Sequence, residues 1–244
     1  MKLFIIEEID GNTLYLSHEE SDHLRKVLRI KQGDEVYATD GKGRLWKTKV
    51  GLIVPKRKVS LLVLSSQNNY KKAPYSIELA VCLPKLGDRM EWLLEKATEI
   101  GVDQITPILS EHSERRKINL IRSNKIIQSA AKQSLRAYIP TLNEPIGFDL
   151  FMEKKSKETQ EKFIAHCNKE HQIKPFKESF IASTHLNFIL LIGPEGDFSY
   201  EEIKKAIVYG YKPISLSKNR LRTETAAMIG LSYLHFLLDD NLLR

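Results

Sequence analysis

The chain has 244 residues, 42% hydrophobic and 28% charged, with a formal net charge of +7. That is the make-up of a soluble globular protein of one large or two ordinary domains, and it excludes a disordered chain. No apolar run approaches the ~20 residues of a membrane span, Glu7 and Glu8 come too early for a signal peptide, and Cys82 and Cys167 lie in apolar, strand-like runs without partners at metal spacing.

The expectation is a cytoplasmic protein with reduced thiols, no metal and no membrane contact. The positive charge favours a polyanionic partner. It is uneven: residues 1–72 carry 14 Lys and Arg against 9 Asp and Glu, and the remainder 24 against 22.

Residues 1–70 read as short strands at Leu3–Ile6, Thr13–Leu16, Glu35–Thr39, Leu45–Val50 and Val59–Leu64. Asp10-Gly11-Asn12 and Asp40-Gly41-Lys42-Gly43 are hairpin signals. One short helix lies between the second and third strands. Ser17 and Glu20 make its capping box, and Leu24, Val27 and Leu28 its apolar face. His23, Arg25, Lys26 and Arg29 on its other positions are candidate RNA-binding residues. Small strands, one helix and a basic edge suggest a compact β-barrel that sits on RNA; the alternative is a merely solvated basic surface.

The polar stretch Gln67–Pro74 reads as a linker. Beyond it strands alternate with longer helices, which argues for a largely parallel sheet. Ile77–Leu83 is a strand. Asp88 is placed to cap a helix with Met90, Leu93, Leu94, Ala97 and Ile100 on one face, closed by Gly101. Ile105–Leu109 is a strand, Ile118–Arg136 a long helix, and Phe163–Cys167 a strand.

Two strand-to-helix turns follow. Phe188–Ile192 leads into Gly193-Pro194-Glu195-Gly196-Asp197-Phe198-Ser199. Ser199 and Glu202 make a capping box for a helix that Gly210 ends. Ile214–Leu216 leads into Ser217-Lys218-Asn219-Arg220-Leu221-Arg222-Thr223-Glu224-Thr225, with Thr223 or Thr225 as cap of the last helix. Gly193 and Gly196 admit a positive φ and close approach of a ligand. Turns at the carboxyl ends of neighbouring strands are where open α/β sheets bind ligands. There is no P-loop, no G-x-G-x-x-G after a strand, no G-x-S-x-G and no H-E-x-x-H. Any cofactor falls to these two turns.

Leu191-Ile192-Gly193-Pro194-Glu195-Gly196 followed by Leu221-Arg222-Thr223-Glu224-Thr225-Ala226 closely resembles the RsmE-type ribosomal RNA uridine-N3 methyltransferases of the SPOUT superfamily. Asp22–Arg29 with Gly33-Asp34 resembles their amino-terminal PUA-like domain. Gly87–Glu91, Lys96–Gly101, Ile105-Thr106-Pro107 and Ser129–Ser134 resemble their catalytic domain. Departures are Asp197 and Leu135 where glycine is common, Ser217 for a glycine, Asn219 for an arginine and Lys132 for an acidic residue.

The resemblance implies an α/β fold: a PUA-like β-barrel over 1–70 and a SPOUT-like, mostly parallel sheet domain with a trefoil knot over 75–244. It implies transfer of a methyl group from S-adenosylmethionine to N3 of a uridine in 16S ribosomal RNA of the small subunit, by a homodimer. Cofactor contacts are expected from Leu191, Ile192, Gly193, Pro194, Gly196, Leu216, Ser217, Asn219, Leu221 and Arg222. Glu195 is the candidate base, Arg222 the candidate for the oxyanion or a flanking phosphate, and Glu224 the residue that orients it. The alternatives are a helix-capping Glu195 with a structural Arg222–Glu224 pair, a non-catalytic RNA-binding assembly factor, or a knotted methyltransferase with another RNA target.

Overall fold

The computed structural model describes residues 2–54, 56–168, 173–180 and 186–242. They fall into two compact units: Met1–Ala73 with Gln128–Ile139, and Pro74–Ile127 with Pro140–Arg244.

In the first unit, β1 (Leu3–Asp10), β2 (Thr13–Leu16), β3 (Glu35–Thr39), β4 (Leu45–Val50) and β5 (Ser60–Gln67) close into a barrel in the order β1-β2-β5-β4-β3. Alternate side chains fill it, among them Phe4, Leu14, Leu16, Val36, Trp46 and Leu61. α1 (His18–Asp22) starts at Ser17, whose hydroxyl accepts the Glu20 N–H at 3.1 Å. It runs into a π-helical turn, His23–Val27, in which the Leu28 N–H reaches back to the His23 carbonyl. The wider turn rotates the face that a 3.6-residue period predicts. Leu24 stays buried, but Val27 is 66% exposed.

The segment Gln128–Ile139 belongs to this unit. Ala137 packs with Leu3 and Leu45, and the Thr39 hydroxyl donates to the Ala137 carbonyl at 3.1 Å. Lys132 pairs with Glu20 at 2.5 Å. Glu20 is thus spent on Lys132, and only half of the expected capping box forms. Leu135 stands at φ +57°, the left-handed conformation that suits the glycine it replaces.

The second unit is an eight-stranded sheet. Its strands are β6 (Ser76–Cys82), β7 (Gln104–Leu109), β8 (Thr141–Leu142), β9 (Ile146–Gly147), β10 (Glu161–Ala165), β11 (Lys174–Pro175), β12 (Asn187–Ile192) and β13 (Lys212–Ser215). The order is β11-β13-β10-β12-β6-β7-β8, with β9 also beside β7, and every pair is parallel. β6 and β12 are buried almost end to end, as strands covered on both faces must be. The helices are α2 (Gly87–Ile100), α3 (Leu120–Gln133, which ends in the first unit), α4 (Phe148–Lys155), α5 (Phe176–Ser179), α6 (Tyr200–Val208) and α7 (Thr223–Leu242).

Some local expectations change. Leu86 precedes α2 as its cap, and Asp88 lies inside the first turn, where its charge meets the helix dipole favourably. Cys167 lies beyond the end of β10 and is exposed. Gly101 and Gly210 end their helices at φ +128° and +85°. No described helix is long and apolar enough to cross a membrane.

One charge cluster is buried in the sheet. Glu78 on β6 is 4% exposed, pairs with Lys155 at 2.8 Å and accepts the Thr106 hydroxyl at 2.6 Å. Removing one member of a buried pair strands the other charge. Glu78→Gln should therefore lower unfolding free energy by about 3–5 kcal/mol, read from urea denaturation. A change under about 1 kcal/mol, the worth of an exposed pair, would show the pair to be solvated.

Candidate active site

Three parallel strands end level with one another. Ala165 of β10 pairs with Ile192 of β12 on one side and Ile214 of β13 on the other. β10 lies between two strands that follow it in sequence. The chain must therefore cross over it, which opens a crevice at the carboxyl ends. The cleft there is shallow and open to solvent. Ile192, Gly193, Pro194 and Glu195 form one wall. Ile214, Leu216, Ser217, Asn219 and Leu221 form another, and Ala165 to Cys167 the floor.

The two turns are tied together. The Thr223 hydroxyl donates to the Gly193 carbonyl at 3.0 Å in a buried bond, and Arg220 donates to the Glu195 carbonyl at 2.7 Å. Thr223 is therefore a crosslink between the turns. The first helical bond of α7 runs from the Ala226 N–H to the Arg222 carbonyl, so neither threonine is the cap that the sequence suggests. Ser217 does provide a local turn: its hydroxyl accepts the Asn219 N–H at 3.1 Å. It has no positive φ, so its replacement of glycine carries no strain.

The glycines of the first turn act by size. Neither Gly193 nor Gly196 has a positive φ; the left-handed residue is Asp197, at +65°. Aspartate tolerates that conformation better than most residues. Its carboxylate also accepts the N–H groups of Cys167 and Phe198 at 2.7 and 2.8 Å. A Cβ on Gly193 would lie 3.1 Å from the Phe198 ring, and one on Gly196 would lie 3.1 Å from the His112 Cβ. Gly196 thus faces the loop that carries His112.

Among the expected cofactor residues, Ile192, Gly193, Pro194, Leu216, Ser217, Asn219 and Leu221 line the cleft. Three do not. Leu191 points into the core beside Ile108 and Ile164, because successive strand residues face opposite sides. Gly196 faces His112, and Arg222 is exposed beyond the wall. Thr223 and Ala226, part of the second motif, also line the cleft, as do His166, Ser215 and Arg220, which carried no signal in the sequence beyond adjacency to the turns.

The expected Arg222–Glu224 pair is not formed. Arg222 makes no side-chain hydrogen bond or ion pair among the described residues. Glu224, 8% exposed, faces Arg89 of α2 instead, with Nε and Oε1 3.7 Å apart. Arg89 also lies 4.0 Å from Glu195 Oε1. That oxygen accepts the Lys85 N–H at 3.1 Å, while Oε2 has no partner among the described residues.

The chain matches the model of an RNA methyltransferase domain over residues 71–235 and that of an RNA methyltransferase PUA domain over 16–64. The ribosomal RNA small subunit methyltransferase E of Synechocystis is 30% identical over 96% of this chain and 76% of that protein. The chain belongs to the ribosomal RNA small subunit methyltransferase E family.

Solved structures agree with that placement. The methyltransferase E of Neisseria gonorrhoeae, bound to S-adenosyl methionine, is 27% identical with a TM-score of 0.85, covering 97% of this chain and 98% of that one. A methyltransferase of Legionella pneumophila in complex with bound cofactor SAM is 31% identical with a TM-score of 0.83, covering 97% and 96%.

The four expected RNA-binding residues divide. Arg25 is spent inside the fold. It donates to the carbonyls of Val54 and Arg57 at 3.2 and 2.6 Å and pairs with Asp22 at 2.5 Å. Its side chain is 14% exposed, because it clasps a loop of the barrel. Lys26 pairs with Asp22 at 2.7 Å but stays in solvent. Arg29 is exposed, and His23 partly so; neither has a side-chain partner among the described residues.

Two predictions follow from these geometries. Hydrogen bonds from Lys26 and Arg25 hold the Asp22 carboxyl at about 2, below its ordinary 3.8. A depressed carboxyl adds stability above its unfolded value that is lost as pH falls toward the folded one. Between pH 4 and 2 the melting temperature should thus fall more steeply in the wild type than in Asp22→Asn; parallel curves would show no linkage. At the cleft, Thr223→Val keeps the shape and strands the Gly193 carbonyl. It should cost about 1–3 kcal/mol and weaken cofactor binding in calorimetry; unchanged stability would mean that the bond between the turns contributes nothing.

Proposed function

We propose that this protein methylates N3 of a uridine in small-subunit ribosomal RNA, with S-adenosylmethionine as donor. The observation that carries the reading is the cleft at three level strand ends, with the carboxylate of Glu195 at its rim. The lining suits the cofactor. Ile192, Ile214, Leu216, Leu221 and Ala226 offer apolar walls, and Ser217, Asn219 and the turn backbones offer hydrogen bonds.

S-adenosylmethionine supplies an activated methyl group and, as the carbon–sulfur bond breaks, keeps the electron pair on sulfur. The protein's task is at the other partner. The N3–H of uracil is a weak acid, and N3 attacks poorly until that proton leaves. Glu195 is the base in this reading. One carboxylate oxygen is held by the Lys85 N–H and the other is open, so the group is oriented yet able to take a proton. Catalysis then consists of positioning and proton removal.

The basic barrel of the first unit, with Arg29 exposed, is the RNA-binding module, and residues from Pro74 onward carry the reaction. The crossing of the two late turns is read as the trefoil knot of the family. A homodimer is supported by α7, where Phe236 is 69% and Tyr233 43% exposed, an apolar face that a second copy would cover. A cytoplasmic setting follows from a ribosomal substrate.

Mass spectrometry of ribosomal RNA from a deletion strain, before and after the purified protein and S-adenosylmethionine are added, tests the reading. One uridine should lack its N3-methyl group in the strain and regain it in vitro; fully modified RNA from the strain would overturn the assignment. Glu195→Gln should lower the single-turnover rate by about 10²–10⁴ and leave cofactor affinity unchanged. A near-normal rate would remove this carboxylate as the base.

A further inference from the structure

The Arg89 guanidinium makes no hydrogen bond among the described residues. It stands in the first turn of α2, where a cation opposes the helix dipole, so helix stability does not account for it. Its side chain is 27% exposed, and it lies between two carboxylates, 4.0 Å from Glu195 and 3.7 Å from Glu224. Both separations exceed a hydrogen bond. Among the described residues no group accepts from its five N–H donors. Glu224 Oε2 likewise is buried without a hydrogen-bond partner. A guanidinium that solvent reaches, charge-balanced between two carboxylates with its donors unspent, is free to receive an acceptor from outside the chain.

The geometry points to Arg89 as the residue that binds the imide edge of the target uracil and receives the charge its carbonyl oxygen gains. That edge presents N3–H with a carbonyl oxygen beside it. Glu195 and Arg89 present a proton acceptor with a donor beside it, in matching order. When N3 loses its proton to Glu195, the negative charge spreads onto the adjacent oxygens. A guanidinium beside the base stabilises that charge. No atom is transferred to Arg89. Glu224 is the positioning residue, since its carboxylate lies 3.7 Å from Arg89 Nε and leaves the outer N–H groups free. The role of oxyanion partner thus passes from Arg222 to Arg89, which stands 4.0 Å from Glu195 at the rim of the cleft.

The inference rests on the uridine-N3 reading, and the test separates the two. Small subunits from a deletion strain are methylated by wild-type protein, Arg89→Ala and Arg89→Lys at saturating RNA and cofactor, with cofactor affinity followed by calorimetry. Arg89→Ala should lose about 10²–10³ in rate, with unchanged cofactor affinity and KM rising less than kcat falls. Millimolar guanidinium should restore part of the rate to Arg89→Ala and none to Glu195→Gln. Arg89→Lys, which keeps the charge beside Glu224, should fold as wild type yet stay well below its rate. A wild-type rate in either variant would overturn the proposal while leaving the reading intact. So would a loss matched by weaker cofactor binding and unrelieved by guanidinium. Wild-type protein that leaves N3 unmodified would overturn the reading, and this inference with it.

Discussion

The site depends on level strand ends. Ala165, Ile192 and Ile214 share one register line across three parallel strands, so two turns separated by some 25 residues meet over a common floor. A strand slip of one residue would exchange inward and outward side chains along its length. Phe188, Leu190 and Ile192, or Ile189 and Leu191, would then leave the packing they now share with the flanking helices. Burial on both faces locks the register, and the register places the turns. Gly230 helps in the same way: a Cβ there would lie 2.5 Å from the Leu190 side chain, so its absence lets α7 seat close against β12.

Much of this was legible in the sequence because it is local. Hairpin glycines, the Ser199–Glu202 capping box, the apolar runs of β6 and β12 and the helix-ending glycines at 101 and 210 each depend on neighbours in the chain. The paired late motifs located the cleft because both of its principal walls are consecutive residues. What the sequence could not supply is which side of a turn faces what. Gly193 and Gly196 look alike in sequence, yet one borders the cleft and the other a histidine from a loop some 80 residues earlier. Leu191 and Ile192 are equally apolar, and strand alternation sends only one of them to the cleft.

Charges were the least legible, for a physical reason. A cation's identity says nothing about whether a carboxylate or carbonyl awaits it within the fold. Arg25 lies on the short helical segment and Arg29 just beyond its end, at φ +51°, and both were candidates for phosphate. The π-helical turn and the loop near Val54 absorb the first and leave the second in solvent. Lys132, which departs from an acidic pattern, is answered by Glu20 from far away in sequence. Arg222 and Glu224 sit two apart on the chain, but a separation of two on a helix points side chains away from each other. Glu224 therefore meets Arg89, from an element more than a hundred residues earlier.

That last exchange alters how the active site is assembled. With Arg222 paired to Glu224, the chemistry would reside in one turn and the rest of the sheet would be scaffold. With Arg89 between Glu195 and Glu224, three elements converge: the start of α2, the turn after β12 and the start of α7. α2 and α7 pack against each other, and Thr223 joins α7 to the turn through the Gly193 carbonyl. A displacement of any one element changes the spacing of acid and guanidinium. In the proposed reaction, a proton acceptor and a charge stabiliser for a single imide edge must keep their separation closely. Rigid, mutually packed elements hold that separation better than one surface turn could, which gives the buried position of Glu224 a purpose that a solvent-exposed ion pair would lack.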